Sequence, residues 1–149
     1  MAVRPHGSAI FRGMELAERL ENARSALLET LPEAWALYVY GSTARGDAGP
    51  ASDVDLAVLL PPGRRIPDKL SLMATLAAAL GRDVDLVDLR EAGDFLRMEV
   101  LRDGKVLHAA DPDRLLEWEA RAMSSYFDHR FRIRGIVEDF ARSGVGYAQ

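Results

Sequence analysis

Two short apolar runs separated by a small polar stretch constrain the fold of this chain more than any other feature. The run WALYVY at residues 35–40 is followed by GSTARGDAGPAS and then by DVDLAVLL at residues 53–60. Aromatic and β-branched residues in runs of this length are typical of strands, and the Pro-Pro-Gly that follows stops the second run. We therefore expect two strands joined by an irregular loop from Gly41 to Ala51.

Helical spacing and strict alternation of apolar residues predict the remaining elements. Gly81 is placed as the C-cap of one predicted helix, and Asp111-Pro112 is a suitable start for another. The predicted helices are 14–31, 68–80, 92–102 and 112–140, and the further predicted strands are 82–89 and 105–108. In the last helix we expect four large side chains to belong to the core: Trp118, Met123, Tyr126 and Phe127.

These elements predict one domain of the α/β (α+β) class over residues 14–143. We expect a small mixed, mostly antiparallel sheet with helices packed on one face. Residues 1–13 are expected to be a frayed or disordered N-terminus, and residues 144–149 a tail. An apolar fraction of 48% and a charged fraction of 28% are ordinary for a globular domain of this length.

Composition excludes several classes of function. The chain has no cysteine, which excludes disulfides, thiolate zinc sites and cysteine nucleophiles. Residues 1–13 lack the apolar region of a signal peptide, and no apolar run approaches the roughly 20 residues that span a bilayer. A cytoplasmic protein without a membrane partner is therefore expected. The net charge of −4 argues against direct nucleic-acid binding through broad phosphate neutralisation.

Asp53 and Asp55 lie two residues apart on a predicted strand, so their side chains project to the same side. Two neighbouring carboxylates repel unless a cation lies between them, and Mg²⁺ prefers carboxylate oxygens completed by substrate phosphates. The small Gly41-Ser42 turn would let backbone N–H groups and the Ser42 hydroxyl approach a triphosphate. These components are those that phosphoryl chemistry requires.

A third carboxylate is expected from the strand at residues 82–89. Asp85, in the middle of this strand, is the preferred residue, and Asp83 on the same face is its rival. Asp85 would act as a metal ligand and as the general base for an incoming hydroxyl. Arg45 follows Ser42 closely and could reach a phosphate, although an ordinary surface arginine explains it equally well.

The segment GSTARGDAGPASDVDL resembles the signature of the DNA polymerase β-type nucleotidyltransferase superfamily, in which Gly-Ser is followed after ten residues by Asp-x-Asp. The short chain, the VDLVDL strand and the MEVLRDGKVLH segment resemble the minimal nucleotidyltransferase (MNT) branch. Within it, the resemblance is strongest to MntA-like antitoxins paired with HEPN-domain RNase toxins. It implies the nucleotidyltransferase fold, with Gly41 and Ser42 on the nucleotide phosphates. It also implies that Asp53, Asp55 and Asp85 together bind two magnesium ions.

For that branch, the resemblance implies transfer of AMP from ATP to a tyrosine of the HEPN-domain toxin within a hetero-oligomer, which blocks the RNase. Two alternatives stay open at this point. The acceptor could be a small molecule, or the protein could neutralise its partner by occlusion without catalysis. Replacing Asp53 and Asp55 by alanine separates these readings, because only enzymatic protection depends on the carboxylates.

Overall fold

The computed structural model describes residues 9–143, with side chains described from Glu15 onward, and shows a four-stranded sheet between two layers of helices. In chain order the elements are α1 (Ala9–Thr30), β1 (Ala36–Tyr40), α2 (Gly41–Arg45), β2 (Val54–Leu59), α3 (Lys69–Leu80), β3 (Val84–Asp88), α4 (Asp94–Asp103), β4 (Lys105–Ala109) and α5 (Pro112–Ser143). The strand order is β3-β2-β1-β4. Strand β1 pairs antiparallel with β2 and β4, and β2 pairs parallel with β3. The predicted α/β class and mixed, mostly antiparallel sheet are confirmed.

Helices cover both faces of the sheet, so the expectation that they pack on one face is wrong. Helices α1 and α3 bury one face through a core rich in leucine. Helices α4 and α5 cover the other face, where Val100 and Leu115 are buried against sheet residues. Apart from Asp55, strand β2 is apolar at both odd and even positions, a pattern typical of strands buried on both sides. That pattern already predicts two covered faces.

Local sequence signals fix the ends of two helices as expected. The Asp68 carboxylate caps α3 by accepting a hydrogen bond of 3.0 Å from the amide three residues later. Gly81 ends the same helix in the left-handed region, at φ 66°. Pro112 is the first residue of α5, and the Asp111 carboxylate accepts hydrogen bonds of 3.2 Å from the next two free amides.

Two segments differ from the prediction. Helix α1 begins at Ala9, so residues 9–13, expected to be frayed, are helical. Residues 1–8 and 144–149 lie outside the described residues. The predicted loop from Gly41 to Ala51 begins with the short helix α2, which follows β1 without a break. In the described part of the chain, no helix is both long and apolar enough to cross a membrane.

Helix α5 is a single helix of 32 residues, about 48 Å long, and only its first part lies on the domain. Leu115 and Ala122 are buried on its inner face. The Tyr38 hydroxyl donates a hydrogen bond of 2.6 Å to the Glu119 carboxylate, which ties this part of α5 to β1. Beyond Ala122 the helix continues for roughly 30 Å.

The core therefore ends earlier on α5 than the sequence indicates. Trp118 and Tyr126 are half-buried, but Met123 is 38% exposed and Phe127 is 57% exposed. The expectation that all four side chains belong to the core is wrong for Met123 and Phe127. Helical spacing alone cannot show where the domain beneath a helix stops, because the apolar pattern continues beyond that point.

Candidate active site

Tyr40, Asp55 and Asp85 lie in a row across three neighbouring strands. The register pairs Tyr40 with Asp55 between β1 and β2, and Asp55 with Asp85 between β2 and β3. Register partners on strands about 4.8 Å apart point to the same face of a sheet. This is the face that α4 covers, since Tyr40 packs in the same core as Val100. Asp53 directly precedes β2, two residues before Asp55 and on the same side.

Helix α2 begins against the Asp55 carboxylate because Gly41 has no side chain. Gly41 adopts a φ of 68°, and a Cβ built there would overlap the carboxylate oxygen of Asp55. Tyr40, the N-cap of α2, makes no capping hydrogen bond with its side chain, so no side chain satisfies the first N–H groups of α2 in this way. Ser42 is half-buried in the first turn. Gly41 thus lies directly against the Asp55 carboxylate, and Ser42 is the next residue of α2.

The electrostatic surroundings of Asp55 are acidic. Burial raises the pKa of Asp55 above its usual range, and the charges of Asp85, Asp53 and Glu99 raise it further, in that order. Arg45 lowers the pKa of Asp55, but less than these effects raise it. A site that holds acidic groups close together, where Arg45 offsets only part of their charge, is suited to bind a cation.

Glu99 and Tyr40 belong to this site, although the sequence analysis did not identify either. The pKa of Tyr40 is raised to about 12, first by burial and then by the charges of Asp55, Asp85 and Glu99. Glu99 reaches the site because α4 packs closely against β1: Val100 is fully buried, and a Cβ at Gly104 would lie 3.4 Å from a β1 carbonyl oxygen. No local motif indicates Glu99, since its position depends on how α4 packs. Tyr40 had a signal, because it directly precedes Gly41.

Two further residues named from the sequence lie at the edge of the site. The Arg45 Nε lies 3.5 Å from the Asp47 carboxylate, and the side chain is exposed within electrostatic range of Asp55. Asp83 precedes β3, and its backbone oxygen accepts a hydrogen bond of 2.9 Å from the amide that starts β2. The structure thus places Asp85, rather than Asp83, directly beside Asp55. The structure gives positions and not roles, so the roles predicted for all of the site residues stay predictions: Asp53, Asp55, Asp85, Gly41, Ser42 and Arg45.

The donor set fits magnesium, although a closed metal site is not preformed. Among the described residues, no three Asp, Glu or His side chains are grouped closely enough to hold a metal ion alone. Asp53, Asp55 and Asp85 nevertheless present carboxylate oxygens on one side of two strands, and a divalent cation would relieve their repulsion. An open arrangement of this kind suits Mg²⁺, which commonly combines one or two carboxylates with substrate phosphates.

The sequence matches a known family and a curated relative. The family model of the polymerase β nucleotidyltransferase domain matches residues 23–113. The protein adenylyltransferase MntA of Shewanella oneidensis is 33% identical over 113 residues, which are 76% of this chain and 81% of that protein. The residues matched by the family model span the segment from Gly41 to Asp85.

The fold is similar to that of solved toxin–antitoxin structures. A crystal structure of a toxin–antitoxin with AMP-PNP includes a chain 33% identical to this one, with a TM-score of 0.68 over 81% of this chain and 98% of that chain. A structure of the tri-AMPylated Shewanella oneidensis HEPN toxin in complex with MNT antitoxin matches at 28% identity and a TM-score of 0.65, over 83% of this chain and 96% of the other. The expected nucleotidyltransferase fold is confirmed.

Proposed function

Because this chain belongs to the DNA polymerase β-type nucleotidyltransferase family, we propose that it transfers AMP from magnesium-bound ATP to a hydroxyl of a HEPN-domain toxin and thereby acts as an antitoxin. The observation that carries this proposal is the register of Asp55 with Asp85, directly beside Gly41. The similarity to a protein adenylyltransferase, and to an MNT antitoxin in complex with its tri-AMPylated HEPN toxin, supports the choice of acceptor. We expect the reaction to take place in the cytoplasm, where ATP is available.

The residues of the site divide into those that hold metal and those that bind phosphate. Asp53, Asp55 and Asp85 would hold two magnesium ions, which neutralise charge on the triphosphate when bound. The open first turn of α2 offers the Gly41 and Ser42 amides and the Ser42 hydroxyl to the phosphates. Arg45 lies within electrostatic range of Asp55, so its guanidinium would reach the same phosphates.

Asp85 would also accept the proton of the acceptor hydroxyl. A tyrosine hydroxyl has a pKa of about 10, so it needs a base near neutral pH. The acceptor oxygen then forms a bond to the α-phosphorus of ATP, the bond from that phosphorus to the bridging oxygen breaks, and pyrophosphate leaves. Asp85 is exposed at the end of the carboxylate row, by which we mean Asp55 and Asp85 on their neighbouring strands, so an incoming hydroxyl can reach it.

The test is the intact mass of the HEPN-domain proteins of the same genome, each co-expressed with this chain and incubated with ATP and magnesium. Wild-type chain is expected to add one or more AMP masses to one of them. Asp53→Asn/Asp55→Asn keeps the size of both side chains but removes the two negative charges that would hold the metal, so transfer should fall by about 10³-fold or more. Glu18→Gln/Glu29→Gln, which removes two exposed carboxylates from α1, is the matched control and should transfer normally.

Two outcomes would contradict the proposal. Transfer that survives in Asp53→Asn/Asp55→Asn would show that these carboxylates do not hold the catalytic metal. A complex that forms and inhibits the RNase without any added mass, in wild type and variant alike, would instead support occlusion without catalysis.

A further inference from the structure

An exposed group of aromatic side chains lies where α4 meets α5; we name Phe95, Tyr126 and Phe127 the aromatic ledge. The Phe95 and Tyr126 rings pack edge to face with centroids 5.7 Å apart, and those of Tyr126 and Phe127 are 5.5 Å apart. Phe95 is 71% exposed and Phe127 is 57% exposed. Single exposed apolar residues are common, but large aromatic side chains grouped on a surface are typical of protein-binding sites.

One flank of α4 connects the aromatic ledge to the carboxylates. Phe95, Glu99 and Arg102 follow at the i, i+4 and i+7 positions, so they share a side of the helix. Glu99 lies within electrostatic range of Asp55, and Arg102 lies within range of both Glu99 and Tyr126. Residues four apart on a helix are separated by about 6 Å along its axis. The ledge therefore begins about one helical turn from the acidic surroundings of Asp55.

The apolar surface continues from the ledge along the part of α5 that lies beyond the buried core. Phe131 follows Phe127 by one turn and is almost fully exposed. Three further exposed apolar side chains follow Tyr126 at i+7, i+11 and i+14, so they lie on its side of α5: Ile133, Val137 and Phe140. A stable protein–protein interface covers about 800 Å² on each partner. A surface that runs from α4 along roughly 20 Å of α5 has the length for such an interface, whereas a small-molecule acceptor would not need it.

We propose that the aromatic ledge and the exposed apolar end of α5 form the docking surface for the acceptor, a HEPN-domain protein, and so bring its hydroxyl to Asp55 and Asp85. This inference rests on the proposed function. Transfer requires the reacting atoms to approach within about 3.5 Å, so an acceptor must dock beside the carboxylates without covering them. The ledge meets this condition. A second copy of this chain on the ledge would occupy the surface next to the carboxylates that an acceptor needs.

The test compares Phe95→Ala/Phe127→Ala with Leu70→Ala. Leu70 is 79% exposed on α3, against the opposite face of the sheet, and is the matched control for loss of exposed apolar surface. Three quantities are measured: the Kd for the HEPN-domain protein without nucleotide, the rate of AMP transfer against its concentration, and binding of magnesium-ATP. For the double variant we expect Kd and KM to rise at least ~10-fold, with kcat and ATP binding unchanged, because aromatic anchors dominate such interfaces. Leu70→Ala should match wild type in all three.

The outcomes separate this inference from the proposed function. Unchanged Kd and KM in the double variant, with normal transfer by wild type, would overturn the docking surface alone. Wild type that binds a HEPN-domain protein without modifying it would overturn the proposed function, and the change in Kd would still decide the docking surface. A chain that binds and modifies no HEPN-domain protein of its genome would overturn both. Self-association of the chain that disappears in the double variant would assign the ledge to a second copy instead.

Discussion

Asp88 and Asp55 occupy neighbouring strands of one sheet, yet their surroundings differ in the one respect that matters for function. Asp88 is buried and paired: its carboxylate accepts hydrogen bonds of 3.2 and 2.8 Å from the Arg90 guanidinium and one of 2.9 Å from the Arg90 amide. Asp55 instead lies beside Asp85, and burial followed by the charges of its acidic neighbours raises its pKa. Burial of a carboxylate is thus common to structural and functional positions, whereas a group of carboxylates whose charge is only partly offset indicates a site for a cation.

The pair of Asp88 and Arg90 also connects the end of β3 to the segment that follows β2. The Arg90 guanidinium donates hydrogen bonds to the backbone oxygen of Pro61, at 2.8 Å, and to that of Arg64. The hydrogen bond with Asp88 raises the pKa of Arg90 above its usual value, so the arginine is charged at neutral pH. This is a structural role, and it leaves no free charge for a ligand.

The largest expected effect is on stability, and it should distinguish Asp88 from Asp85, a carboxylate of the site. Asp88→Ala should lower the free energy of unfolding by about 3 kcal/mol, because the partly buried Arg90 loses its carboxylate partner. Asp85→Ala should leave stability nearly unchanged while it removes AMP transfer. Urea unfolding and the transfer assay on both variants check this contrast. Equal stability losses in the two variants would show that Asp85 is as structural as Asp88.

A smaller loss of unfolding free energy is expected from a substitution at Gly41, where the backbone lies against the Asp55 carboxylate. Gly41→Ala places a Cβ on the Asp55 carboxylate and also strains a positive φ, so it should cost roughly 2 kcal/mol and reduce AMP transfer. Gly63→Ala is the matched control, since Gly63 has a φ of 80° but open space around its Cβ position. It should cost only about 1 kcal/mol, the strain of the backbone alone. Thermal unfolding of both variants separates overlap from strain.

The smallest effect should appear in the magnesium-free protein as a function of pH. The pKa of Asp55 is higher in the folded protein than its usual value, so its contribution to stability is fully present below the unfolded pKa and is lost as the pH rises through the folded pKa. Asp55→Asn removes this loss and should be more stable than wild type at neutral pH, by roughly 0.2–1 kcal/mol, the range of exposed charge pairs. Urea unfolding in EDTA from pH 4 to neutrality should show the difference growing with pH.

Magnesium supplies the control for that experiment. Added to wild type at neutral pH, it should raise the unfolding free energy, because a ligand that binds only the folded state stabilises it. It should raise that of Asp55→Asn much less. An asparagine variant that gains as much from magnesium as wild type would indicate that the ion binds elsewhere.

The sequence predicted the strands, and with them the placement of Asp53, Asp55 and Asp85 on neighbouring strands, because these signals are local. Alternation, the proline stops and the Asp-x-Asp spacing each depend on residues close in the chain. Glu99 could not be predicted, since its place beside Asp55 depends on the packing of α4 against β1. The second helical layer, by contrast, had a local signal that the prediction did not use. Apart from Asp55, strand β2 is apolar at both odd and even positions, as in strands covered on both sides.

The hydrogen bond between Tyr38 and Glu119 has a consequence for how an acceptor is selected. It fastens α5 to the strand that ends at Tyr40, so the spacing between the helix and the carboxylate row is set by the folded domain. If the acceptor docks along α5, the position of this helix sets the distance between the docked surface and the carboxylates. The modified hydroxyl is then the one that stands at the right distance from the docked surface, whatever residues flank it in its own chain.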